Sequence, residues 1–119
     1  MDKEDLKKRT KEFAHRCVKL AMNLPETPLG GPIRDQLIRA ATSVAANYRA
    51  ACLAQSKASF AAKLSIVLEE VDKSAFWMKF SMEERIVNPE LVQSLLNEAD
   101  EHTSIFISSR KTIQIKKKK

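Results

Sequence analysis

The sequence predicts an all-α fold, an antiparallel up-and-down four-helix bundle, and three observations carry that prediction. Apolar residues recur at spacings of three and four along most of the chain, with no sustained alternation of the kind a strand needs. Only two glycines and four prolines occur, and all six fall in two connections, one spanning residues 25–32 and the other at Pro89. The stretch Ile33 to Ala54 has alanine at 40, 41, 45, 46, 50 and 51, so neighbouring helices can approach it closely on several sides. It reads as the central helix. A chain of 119 residues, 44% hydrophobic and 30% charged, fits one globular domain. Residues 1–115 are expected to form it, with 116–119 as a disordered basic tail.

The first helix is expected from about Asp5 to Leu24. Leu6, Phe13, Cys17, Leu20, Ala21 and Leu24 form its buried stripe, with Lys7, Lys8, Lys11 and Lys19 on the outer face. Pro25 ends it. After the connection PETPLGG, Pro32 stands where a first helical residue can lack its amide hydrogen without cost. The second helix then buries Ile33, Leu37, Ala40, Ala41, Val44, Tyr48 and Ala51. No Gly or Pro separates Cys52 from Lys57; a tight turn near Gln55 with Ser56 as the next N-cap is expected, a single long helix being the alternative.

The third helix, about Lys57 to Arg85, carries Phe60, Leu64, Val67, Leu68, Val71, Ala75, Met78 and Met82 along one face. Phe76, Trp77 and Phe80 lie off that stripe. Residues 75–82 are therefore apolar around much of the circumference, which points to a subunit interface in addition to a core contact. Asn88 and Pro89 supply an N-cap and a first-turn proline for the fourth helix, and Glu90 suits its positive end. Leu91, Leu95, Ala99, His102, Phe106 and Ile113 are expected to face inward.

The residue types do not assemble into a reactive centre. A ferritin-like di-metal site needs Glu-x-x-His pairs, but Glu98 and His102 are four apart, the second helix has no Glu, and His15 has no carboxylate three residues before it. His102 is read as a core or interface histidine. Two cysteines, Cys17 and Cys52, are too few for a disulfide scaffold and lack metal-ligand spacing, so both are expected as reduced thiols. Both glycines lie in one turn, which excludes a glycine-rich phosphate loop. No enzymatic activity, cofactor or metal is expected. No apolar run reaches the ~18–20 residues of a membrane span, and a cytoplasmic protein is expected. Arg39, Asn47 and Glu70 flank buried helix faces and are read as structural polar residues that could fix helix register.

Charge is the one feature that suggests an outside partner. All fifteen acidic residues precede Ser109, balanced there by fifteen Lys and Arg, so the net charge of +6 resides in Arg110, Lys111, Lys116, Lys117, Lys118 and Lys119. Such a cluster, helped by Lys7, Lys8 and Lys11, gives weak, salt-sensitive affinity for RNA or DNA. Several copies on one oligomer would add avidity. The tail itself holds no aromatic residue that could stack on a base. The alternative is a protein-interaction scaffold whose tail only keeps it soluble.

The order of short motifs resembles a known family. The run SVAANYRAA from Ser43 to Ala51, then Gln55-Ser56-Lys57, Phe60, Lys63-Leu64, Ile66, Leu68-Glu69-Glu70 and Trp77, is similar to the bacterial four-helix-bundle proteins encoded within 23S rRNA intervening sequences. Glu98-Ala99-Asp100-Glu101 and the stretch from Ser108 to Thr112 continue the match, which covers about Phe13 to Thr112. Arg85 stands where such proteins often have Gly after the third helix. The resemblance implies an antiparallel four-helix bundle assembled as a ring-like homopentamer, without an established enzymatic role. Related accessory proteins of diversity-generating retroelements are basic pentamers that bind nucleic acid, which makes RNA or DNA the partner the resemblance suggests.

Overall fold

The computed structural model describes residues 1–118, with side chains described through Ile113. Four helices follow one another: α1 (Lys3–Met22), α2 (Gly30–Cys52), α3 (Lys57–Glu83) and α4 (Pro89–Lys118). They pack as an elongated all-α bundle of 52 × 21 × 20 Å. The helices run up and down in sequence order. α2 packs extensively against both α1 and α3, and α3 against α4, whereas the backbones of α1 and α4 come close at far fewer points.

Local chemistry sets each boundary. α1 begins two residues earlier than the apolar pattern indicates, because Asp2 and Asp5 form a reciprocal capping box: the Asp5 amide donates to Asp2 Oδ1 at 2.9 Å, satisfying an otherwise orphaned donor. Before α2, Thr27 Oγ1 accepts from the Gly30 amide at 2.9 Å. Gly30 is obligatory there, since a Cβ would lie 2.0 Å from the Pro25 carbonyl oxygen. Pro32 consequently occupies the third helical position instead of the first, still within the turn whose amides lack helical partners. The second and third helices are separate: Ser56 caps α3, accepting from the Ser59 amide at 3.0 Å. Asn88 Oδ1 likewise accepts from the Glu90 amide at 3.0 Å to start α4.

At the end of α3, Arg85 adopts φ 57°. The Ile86 amide reaches back to the Ser81 carbonyl and the Arg85 amide to that of Met82, the paired bonds of a Schellman stop. Arg85 is thus the left-handed residue for which glycine is the strain-free choice.

All seven apolar residues expected inside α2 are buried, as is the whole predicted stripe of α1, with Thr10 and Ala14 added to it. Along α3, Leu64, Val67, Val71 and Met78 are fully buried, but Phe60, Leu68, Ala75 and Met82 sit at the core's edge. Ser74 and Ser81 fill inward positions instead, their hydroxyls satisfied by the Glu70 and Trp77 carbonyls at 2.8 Å. On α4 one expectation is corrected: Leu91 is 54% exposed, and Val92 takes the inward place. A stripe through Val92, Leu95, Leu96, Ala99, His102 and Phe106 satisfies the three-and-four spacing better than one starting at Leu91. Leu91 instead lines a shallow surface groove with Leu20 of α1 and Asn23, the residue that caps that helix.

α4 retains helical backbone as far as Lys118, past Ile115, where the ordered chain was expected to stop. No Gly or Pro interrupts residues 110–118, and Ile113 packs against the core, so the helix has no local reason to end there. The side chains of Lys116, Lys117 and Lys118, and Lys119 altogether, lie outside the described residues.

A candidate nucleic-acid interface at one end of the bundle

Antiparallel order gathers the start of α1, the end of α2, the start of α3 and the end of α4 at one end of the molecule. Lys3, Ser56, Lys57, Phe60 and Ile113 accordingly line one open cavity of about 420 Å³. Residues that are 110 positions apart in sequence therefore stand side by side.

Between α1 and α2, Lys7, Lys8, Lys11 and Arg49 border a groove of about 550 Å³. Its floor is Ala45 and Ala46, whose methyl groups leave room above the backbone. Arg49 escapes charge counting because it stands alone in sequence; its four-residue spacing from Ala45 and Leu53 is what carries it to the groove. Glu4 also lines the groove and accepts from Lys7 Nζ at 2.8 Å. That hydrogen bond raises the Lys7 pKa, while Arg49 acts in the opposite direction. Both side chains of the Lys7–Glu4 pair are accessible to water, so an incoming phosphate can compete for the ammonium.

On α4, Arg110 is half-buried and its Nη1 donates to Ser65 Oγ of α3 at 3.2 Å. It is committed to joining two helices, and Lys111 beside it is exposed. Of the cations expected to form the tail cluster, these are the two whose side chains are described.

The acidic part of α4 is engaged by α1. Arg9 contacts Glu98 Oε1 at 2.8 Å and Glu101 Oε2 at 2.6 Å, and its pKa is raised chiefly by the hydrogen bond to Glu98. Behind this pair His102 is fully buried, edge-on to Phe13 with centroids 5.4 Å apart and stacked on Phe106 at 5.8 Å. Glu98 Oε1 comes within 3.1 Å of His102 Nε2, but the alignment is not that of a hydrogen bond, and neither ring nitrogen has a partner among the described residues. Burial lowers the His102 pKa, and the opposing pull of Glu98 is offset by Arg9. Of the two places the sequence allowed for His102, core or interface, it takes the core.

Residues 2–108 match the model of the family described as 23S rRNA-intervening sequence protein. The chain belongs to that family. It is also similar, at 32% identity and a TM-score of 0.85, to a crystal structure of a protein of unknown function from the S23 ribosomal protein family of Bacteroides thetaiotaomicron VPI-5482. That similarity covers 93% of this chain and 99% of the other. No curated protein matches the chain.

Within this 23S rRNA-intervening sequence family fold, the remaining predicted residues fall as follows. Phe76 is 54% exposed, while Trp77 and Phe80 are half-buried and Trp77 packs against the core's edge. The three rings form one cluster, with Phe76 edge-on to Trp77 at 4.9 Å and tilted against Phe80 at 5.9 Å. Arg39 is exposed. Asn47 Nδ2 bonds Ser43 of its own helix at 2.8 and 3.0 Å, and Glu70 pairs with Lys73 of its own helix at 3.3 Å. These three polar residues do not bond one another within the chain. Among the described residues the side-chain bonds between helices come from Arg9, Arg110 and the contact of Arg16 with Ser94, whose partners lie too far away in sequence for spacing to reveal them.

Both thiols are free. Cys17 is buried and its pKa is pushed up to about 12 by desolvation, which leaves it a protonated packing group at neutral pH. Burial raises the Tyr48 pKa as well, with the neighbouring Cys52 adding to the effect. Among the described residues no helix is long and apolar enough to cross a membrane.

Proposed function

We propose that this protein is a non-enzymatic, homo-oligomeric bundle that holds the phosphate backbone of RNA or DNA against its basic end. The reading needs no cofactor and no membrane. The observation that carries it is the convergence of cations from separate segments: Lys7, Lys8 and Lys11 of α1 face Arg49 of α2 across a groove, and α4 ends at the same pole with Lys111 exposed and the helical backbone of residues 116–118 continuing beyond it. Each phosphate neutralised releases condensed counterions, so binding should be weak per chain and steeply salt-dependent. The exposed Phe76 ring, with Trp77 and Phe80, is the surface through which copies would associate. A pentamer, as the family resemblance implies, would display five basic poles and add avidity.

The test is binding of labelled RNA and duplex DNA at about 50 and 200 mM salt, with light scattering on the same samples. The intact chain should bind as an oligomer, with affinity falling steeply with salt. Replacing Lys7, Lys8 and Lys11 together by Gln should weaken binding to both nucleic acids and flatten the salt dependence. Trp77→Glu should reduce the mass toward the 13.5 kDa of one chain and weaken binding through lost avidity. An intact chain that binds neither ligand at low salt would overturn the nucleic-acid reading in favour of a protein-interaction scaffold. A monomeric intact chain would overturn the assembly.

A further inference from the structure

We propose that the cavity at the basic end seats an unpaired nucleobase against the ring of Phe60, which makes single-stranded nucleic acid the preferred ligand of that end. The inference deepens the phosphate-binding reading above and rests on it. Cations alone hold any nucleic acid; preference for a single strand needs a flat apolar surface beside them. The basic tail provides none in sequence, but the fold does.

Phe60 is the aromatic side chain of the end cavity, which Ala54 and Ile113 floor and Lys3 and Lys57 border. The remaining aromatic rings are out of reach of it. Phe13, Tyr48 and Phe106 are buried in the core, and the Phe76, Trp77 and Phe80 cluster lies in the second half of α3, toward the opposite pole. The ring of Phe60 presents one face outward: Lys3 Nζ sits 4.9 Å from its centroid. A face that an exposed ammonium can occupy is one that a flat ligand can occupy, and the mobile Lys3 stem lets the charge move aside to a phosphate. Exposed Gln55, on the same rim, carries both donor and acceptor for a base edge. At about 420 Å³ the cavity is within the ~300–1,000 Å³ range of small-ligand sites. A base inside a duplex is already stacked on both faces and cannot enter, whereas an unpaired base can. The backbone leaving it would run toward the Lys7, Lys8 and Lys11 groove.

The experiment compares a labelled oligoadenylate strand with the duplex it forms with oligouridylate, using the intact chain at about 50 mM salt. The wild-type chain is expected to prefer the single strand. Phe60→Leu keeps an apolar side chain against the core but removes the ring face, so single-strand affinity should fall on the order of tenfold with duplex affinity unchanged. Phe60→Tyr should retain the preference. Equal loss for both ligands, or no loss for either, overturns the proposal while leaving the phosphate-binding reading intact. Binding of neither ligand by the wild-type chain overturns both. Should Phe60→Leu fail to fold, photocrosslinking of the unaltered chain to a 5-bromouridine strand decides: an adduct on the peptide spanning residues 58–63 supports the site, and adducts confined to α1 overturn it.

Discussion

The packing of α2 and the seam between α1 and α4 solve the same problem by different means. α2 buries alanines at 40, 41 and 51 alongside Leu37 and Val44, which lets α1 and α3 approach it closely on both sides. Among the described residues no salt bridge joins α2 to either neighbour. The α1–α4 seam instead spans a wider gap with long side chains: Phe13 against His102, Arg9 against Glu98 and Glu101, and Arg16 against Ser94. A seam of small residues depends on shape alone. A seam of long and ionisable ones also depends on pH.

The largest effect that would break this comparison lies in the apolar part of the α1–α4 seam. Phe13 is 1% exposed, and Phe13→Ala should destabilise the protein by about 3–5 kcal/mol, read from the midpoint of urea unfolding. A loss below about 1 kcal/mol would mean the seam rests on its ion pairs and not on packing.

Acidification should be the next largest effect. Burial holds the imidazole of His102 below its ordinary value of 6.5, so beneath that pH the unfolded chain binds a proton that the folded chain resists. Stability should therefore be level above 6.5 and fall as the pH drops through it, until the folded-state value is passed. Melting temperatures from about pH 8 to 5 should show this decline, and His102→Leu should remove most of it. An unchanged decline in the variant would place its origin in groups other than His102.

The smallest effect sharpens the comparison from outside both regions. Arg85, at φ 57°, should be improved by Arg85→Gly, which raises stability by about 1 kcal/mol. Because the Schellman stop belongs to neither seam, the gain should be the same at pH 8 and pH 5.

Legibility in the sequence followed the same division. The α2 stripe was readable because periodicity reports which side of a helix is buried, and every one of its seven positions proved inward. The N-caps at Ser56 and Asn88 were readable because a cap acts on an amide two or three residues away. Pairings across the seam were not, since Arg9 and Glu98 are 89 residues apart and nothing local marks them as partners. Inversion of Leu91 and Val92 shows the limit of periodicity in a first turn, where two adjacent apolar residues fit the stripe almost equally well. The candidate site was half legible: Lys7, Lys8 and Lys11 stand out as a charge cluster, but Arg49 and Phe60 acquire their roles only when the helix ends meet.

Sequential up-and-down topology also has a consequence for the order of assembly. Helices that pack on their neighbours in the chain close short loops, which are fast to form, and the α1–α2 and α2–α3 pairings can form before α4 is made. During synthesis the N-terminal elements are released first, and the α1–α4 seam, with the greatest sequence separation, closes last. The same seam should be the first to open in native-state hydrogen exchange. The cavity beside Phe60 has its floor completed by Ile113 of α4, so a partly synthesised chain that lacks α4 would have neither that floor nor a finished basic pole.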